Sequence, residues 1–190
     1  MHLAGHCALA GLVIAPVAPL SHDAEVAALV DALAPRLLAQ GWMLATAESC
    51  TGGLIAAACT ELAGSSNWFE RGFVTYSNAA KAQMLGVDAA LIDQHGAVSA
   101  PVARAMAQGA VQRANVGVAL AVTGVAGPGG GSAAKPVGTV WFAWATPSGL
   151  QSEVQHFAGD RAAVRQATVR HSLRHLLALL PALPAGATAP

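Results

Sequence analysis

The sequence predicts an α/β domain built on a mixed sheet with helices on both faces. Three observations predict it. Short apolar runs of strand length alternate with segments of helical periodicity along most of the 190 residues. Two of those runs are joined through Pro147-Ser148-Gly149, a hairpin turn that makes them antiparallel neighbours. No internal repeat or linker divides the chain, and its length suits one domain with a sizeable core.

The ends are set apart first. Residues 7–20 are apolar like a signal-peptide core, but no Lys or Arg precedes them and Pro16 and Pro19 interrupt them. The stretch is also too short to span a bilayer. Residues 1–20 are therefore read as a poorly ordered N-terminal extension, 21–180 as one domain, and the Pro- and Ala-rich 181–190 as a flexible tail.

Within the domain, Val26, Leu29, Val30, Leu33 and Leu37 recur at helical spacing, so 23–40 reads as an amphipathic helix. Pro35 is expected to kink or interrupt it, and Gly41 closes it. Residues 43–47 read as a short buried strand. The polar cluster Glu48-Ser49-Cys50-Thr51-Gly52-Gly53 follows, and then 54–62 with helical composition. That cluster lies on a strand-to-helix turn. A second strand over 69–76 ends at Ser77-Asn78, where Asn78 serves as N-cap of a short helix through Leu85. Asp88 caps another helix through Gln94, and Ser99 with Pro101 opens a longer one through Ala114. A buried strand over 116–122 runs into the glycine-rich loop 123–131. The hairpin strands are 137–145 and 153–157, and Asp160 caps a final helix through Leu180.

Ten basic side chains balance ten acidic ones, with 11% of residues charged and 54% apolar. That excludes intrinsic disorder and any general pull toward nucleic acid or an anionic membrane. Three cysteines without a C-x-x-C pair favour a reducing cytoplasm over a disulfide framework. About a quarter of the chain is Ala, whereas Tyr76 is the sole tyrosine and Lys81 and Lys135 the sole lysines. In so skewed a composition the rare residues are worth locating.

Ser49 is the first candidate nucleophile. A hydroxyl just before a helix start lies near unpaired backbone N–H groups, which can stabilise an oxyanion when it attacks a carbonyl. Gly52 and Gly53 let the backbone turn sharply there. The plainer reading makes Ser49 or Thr51 an N-cap, and the string is not the G-x-S-x-G elbow. Cys50 is a rival nucleophile at the same helix end, although a Cys beside a buried strand more often packs. Lys81 offers a base. On the first turn of a helix its charge opposes the dipole, which favours the neutral amine, while an exposed surface lysine is the alternative.

The loop 127–131 follows a strand, as ligand loops in open α/β sheets do. It matches neither the P-loop nor the dinucleotide fingerprint. Its N–H groups can form an anion nest with Lys135 four residues on, or it is simply a flexible connection. Arg161 and Arg165 start the last helix and can meet a phosphate, or they are solvated surface. His171 and His175 are four apart, but no carboxylate accompanies them in the sequence, so no metal site is expected.

Together these strings resemble the CinA C-terminal domain family, of nicotinamide mononucleotide (NMN) deamidase type. The similarity runs through Ala47-Glu48-Ser49-Cys50-Thr51-Gly52-Gly53, then Thr75-Tyr76-Ser77-Asn78 with Lys81, then His95-Gly96-Ala97-Val98-Ser99. It continues through 122–131, Lys135-Pro136-Val137-Gly138-Thr139-Val140, and Gly159-Asp160-Arg161 with Arg165, covering about residues 25–180. The larger N-terminal domain of the long CinA proteins has no counterpart here, so its pyrophosphatase-type activity is not expected.

The resemblance implies a three-layer α/β/α sandwich, a cytoplasmic homodimer or higher homo-oligomer, no cofactor, no metal, and no nucleic-acid or membrane partner. It implies hydrolysis of the NMN carboxamide to nicotinic acid mononucleotide and ammonia. Ser49 attacks, Lys81 is the base and Tyr76 assists. The backbone N–H groups of Cys50 and Thr51 hold the oxyanion, Gly52 belongs to the substrate-binding set, and Asn78 and Thr123 position the substrate. Gly127, Gly129, Gly130, Arg161 and Arg165 take the phosphate. The competing reading is a non-catalytic nucleotide-binding or regulatory module linked to competence or DNA damage.

Overall fold

Large and small side chains alternate along the central strands, and that alternation sets the architecture. The computed structural model describes residues 23–183. Strands β1 (Leu44–Glu48), β2 (Phe69–Val74), β3 (Val118–Gly124), β4 (Thr139–Thr146) and β5 (Gly149–His156) form one sheet in the order β2-β1-β3-β4-β5. β1 runs parallel to β2 and β3, whereas β4 and β5 continue antiparallel, so the sheet is mixed.

Leu44, Leu120, Val122, Val140, Phe142 and Trp144 point to one face. There they pack with α1 (Ala24–Gln40), α2 (Leu54–Glu61) and α6 (Arg161–Leu179), which bury Leu33, Leu37, Ile55, Leu173 and Leu176. Each such side chain contributes roughly 1.5–3 kcal/mol on burial. The opposite face presents Ala45, Ala47, Ala119, Ala121 and Ala143. It meets α3 (Asn78–Leu85), α4 (Ala89–His95) and α5 (Ala100–Ala114), whose inner side carries Ala103, Met106, Ala107 and Ala110. Two small-residue surfaces let α5 lie close to the sheet, which is where much of the abundant alanine is used. Gly109 brings α5 against the end of α3, since a Cβ there would sit 2.2 Å from the Leu85 carbonyl oxygen. The result is the expected three-layer α/β/α sandwich.

Several boundaries shift. α1 runs unbroken through Pro35. The bond that proline deletes would go to the carbonyl of Asp31, an exposed residue, and Leu33 and Leu37 anchor the helix on both sides of it. The N-cap of α3 is Ser77, whose Oγ accepts from Ala80 N at 3.0 Å, so Asn78 is instead the first helical residue. β2 ends at Val74, and β5 starts at Gly149 because the hairpin turn is tighter than expected. A 3-10 turn at Ser65–Asn67 leads into β2. The expected extension over 1–20 lies outside the described residues, as does all but 181–183 of the expected tail. Among the described residues no helix is long and apolar enough to cross a membrane.

Candidate active site

Three parallel strands end at one edge of the sheet, where connections to opposite faces diverge and open α/β folds hold their ligands. Ser49 follows β1 and its N–H donates to Val122 O of β3 at 3.1 Å. Thr75 and Tyr76 follow β2, with Thr75 N donating to Glu48 O at 2.8 Å. Thr123 lies near the end of β3.

The turn between β1 and α2 is organised by Glu48, a role that sequence reasoning missed. Its fully buried carboxylate reaches forward to the start of α2. Oε2 accepts from Gly53 N and Ile55 N at 3.0 Å each, and Oε1 accepts from Ala56 N at 2.8 Å and Thr46 Oγ1 at 3.1 Å. A carboxylate at a helix N-terminus satisfies orphan donors and complements the dipole. The signal was present: an acidic side chain closing an apolar strand, six residues before the first residue of the helix. Neither Ser49 nor Thr51 caps α2; the cap position is Gly53 at φ +99°, and Gly52 is also left-handed at φ +61°. Ser49 Oγ is thereby free of capping. The backbone N–H groups of Cys50 and Thr51 donate to no backbone carbonyl among the described residues.

Lys81 meets Ser49 here. Its side chain is 1% exposed, with Nζ 3.1 Å from Ser49 Oγ, 2.9 Å from Thr75 O and 3.4 Å from Tyr76 O. Burial, partly opposed by the nearby Cys50 thiolate form, holds the lysine below its ordinary value. The surface-lysine reading is thus corrected. Cys50 is buried, and burial foremost, with the Glu48 charge, pushes its thiol up to about 11. Burial also raises the Cys59 thiol. Neither is an activated nucleophile.

Ser49, Cys50, Tyr76, Asn78, Lys81, Thr123 and Arg161 line one cavity of about 230 Å³. Thr123 Oγ1 donates to Ala97 O at 2.9 Å. Tyr76 joins the pair through its main chain only: its phenol stands 62% exposed at the rim, accepting from Arg161 Nη2 at 3.2 Å. Arg161 Nη1 also donates to Gly127 O at 3.1 Å and borders a neighbouring hollow of about 670 Å³, lined by Gly127, Gly159 and Arg165 among others.

Thr51, Gly52, Gly127, Gly129, Gly130 and Arg165 do not line the first cavity, and of these only Gly127 and Arg165 line the second. Arg165 braces the turn that carries Ser49, with Nη2 donating to Thr51 O at 2.8 Å. Lys135 ties the glycine loop to α4, Nζ donating to His95 O at 3.0 Å.

The expectation that no carboxylate joins His171 and His175 is also corrected. Glu153 of β5 lies beneath them, 18 residues from His171 in sequence but against it in the fold. This cluster is separate from the cavity.

The family model of the CinA C-terminal domain matches residues 26–180. A relative from Escherichia coli strain K12, the nicotinamide-nucleotide amidohydrolase PncC, is 52% identical over 155 residues, covering 81% of this chain and 94% of its own. The protein of the same name from Pseudomonas putida is 58% identical over 134 residues, covering 70% and 84%. Among solved structures, a competence-damaged protein (CinA) superfamily protein from Escherichia coli superposes with a TM-score of 0.80 at 41% identity, covering 87% of this chain and 96% of that one. With the motifs, the topology and these matches in agreement, the chain belongs to the CinA C-terminal domain family.

Proposed function

We propose that the chain is a nicotinamide-nucleotide amidohydrolase that converts NMN to nicotinic acid mononucleotide and ammonia through a covalent Ser49 ester. The observation that carries this reading is the buried Lys81 Nζ at 3.1 Å from Ser49 Oγ. A neutral amine there can direct two N–H bonds to the carbonyls of Thr75 and Tyr76 and turn its lone pair to the Ser49 hydroxyl. The names of relatives at 52–58% identity supply the substrate class.

In the first step Ser49 Oγ bonds to the carboxamide carbon as its proton passes to Lys81 Nζ. The N–H groups of Cys50 and Thr51 face the developing oxyanion. The carbon–nitrogen bond then breaks, Lys81 returns the proton to the leaving nitrogen, and ammonia departs. Water, deprotonated by Lys81, cleaves the ester, and Ser49 recovers its proton. Asn78 and Thr123 orient the ring. Arg161, shared between the two hollows, and the start of α6 meet the phosphate, supported by Arg165.

The test is incubation of the purified chain with NMN, with ammonia and the acid nucleotide assayed against Ser49→Ala. Equal product from both would end this reading. NMN binding by calorimetry without turnover would favour the non-catalytic module instead.

A further inference from the structure

The layer beneath the outer half of α6 breaks the apolar pattern of the core. β5 turns Gln151, Glu153 and Gln155 to the same face as Trp144, Phe142 and Val140, their register partners on β4. Polar residues therefore lie beside a run of β4 that is hydrocarbon on that face. α6 covers them with His171 and His175, which are one helical turn apart and so project side by side. His171 Nε2 contacts Glu153 Oε1, and His175 Nδ1 lies 3.7 Å from Glu153 Oε2.

We propose that Glu153, His171 and His175 form a zinc site that staples α6 to the edge strand β5. Three features support it. One ligand atom from each residue lies within 4.8 Å of the other two. Tetrahedral Zn²⁺ with bonds of about 2.0–2.1 Å spaces its ligands by roughly 3.4 Å, a separation reached by small side-chain rotations. Two imidazoles and a carboxylate are the donor set for Zn²⁺ and leave a fourth position for water, whereas Mg²⁺ and Ca²⁺ prefer all-oxygen sites.

The surroundings hold the donors in place. Gln155 Nε2 donates to Glu153 Oε1 at 3.3 Å, the kind of outer partner that orients a ligating carboxylate. The His175 ring stacks on the Trp144 indole with centroids 4.0 Å apart, and His171 sets its edge against Phe142 at 4.7 Å. All three side chains are half-buried, with 20–30% of each exposed, which leaves an entry path for the ion. His171 follows Arg161 by ten residues, about 15 Å along the helix axis. The ion would act on stability and take no part in the chemistry at Ser49.

The test uses the full chain stripped with EDTA and titrated with Zn²⁺ by calorimetry and thermal unfolding. The expected result is one Zn²⁺ per chain, with affinity falling at least tenfold in each of Glu153→Gln, His171→Gln and His175→Gln. At a free concentration a hundred times Kd, the unfolding constant should fall about a hundredfold, raising Tm by roughly 5–10 °C in the unmodified chain and by no more than about half of that in each variant at the same free Zn²⁺. Co²⁺ provides a readout that needs no variant, because a tetrahedral site with imidazole ligands gives intense visible absorption bands. Absence of saturable Zn²⁺ binding, a weak octahedral Co²⁺ spectrum, or undiminished binding by all three variants would each overturn the proposal. The last of these would move the ion to other histidines.

Discussion

Replacing Glu48 by Gln isolates the device that shapes the turn carrying Ser49, because it removes the charge and keeps the volume. The native carboxylate accepts four bonds, three of them from backbone N–H groups at the start of α2. Gln can keep its carbonyl oxygen against Gly53 N and Ile55 N, but its amide then faces Ala56 N, donor against donor. One orphaned N–H costs about 1–3 kcal/mol. The two retained bonds drop from charge-assisted to neutral strength, losing about 0.5–1 kcal/mol each. The whole loss is roughly 2–5 kcal/mol, or a Tm lower by about 5–15 °C in a domain of this size. Urea unfolding followed by circular dichroism measures it, with Glu70→Gln as an exposed control expected to change stability by under about 0.5 kcal/mol. The Gln variant should also lose turnover, since Ser49 precedes the segment it loosens. If Glu48→Gln unfolds within about 0.5 kcal/mol of the unmodified chain, the capping role assigned to Glu48 is wrong.

Lys81 has a lowered pKa, so in the folded state it gives up its proton below its ordinary value of 10.5. Between those values the unfolded chain binds more protons, and stability must rise with pH. Lys81→Met lacks that rise, so its stability advantage should narrow across the window; parallel stability curves would refute the burial argument. In the same enzyme, kcat/KM should climb with pH as Lys81 deprotonates, and the climb should vanish with the lysine. Cys50→Ala should keep turnover within about threefold while Ser49→Ala loses at least about a thousandfold, measured as ammonia release; the reverse order would make Cys50 the nucleophile. Gly109→Ala should cost at least about 2 kcal/mol by urea unfolding, because the new Cβ meets the Leu85 carbonyl at 2.2 Å. An unchanged midpoint would mean that α3 and α5 part more easily than their packing implies.

What was legible in the sequence was legible for local reasons. Strand-to-helix turns, caps and hairpins are written in a few adjacent residues, so the turn at Ser49, the caps Asp88 and Asp160, and the pairing of β4 with β5 could be read without the fold. The sequence reads Lys81 near the start of α3, and it lies there although the cap is one residue earlier than expected. Its partner needed a longer step. Ser49 and Lys81 are 32 residues apart, and they meet because β1 and β2 are parallel neighbours that end together.

The phenol of Tyr76 shows the opposite case, where nearness in sequence misled. Tyr76 and Lys81 share a motif, yet their side chains diverge, and it is the Tyr76 carbonyl that meets the amine while the ring turns out to Arg161. A residue's main chain and its side chain are separate resources, and residue type signals only the second. Glu153 makes the same point for the sheet. Beside Val154 and Gln155 it reads as one polar position in an edge strand. Only the register that sets it opposite Phe142 turns it inward beneath His171, and with Gly149 as the hairpin start that register is fixed by the turn. Shifting the register by one residue would carry Glu153 to the other face and dissolve the His–Glu–His cluster. An inserted residue in the Pro147-Ser148 turn is therefore expected to abolish any Zn²⁺ binding there while leaving the Ser49–Lys81 contact, built on β1 and β2, in place.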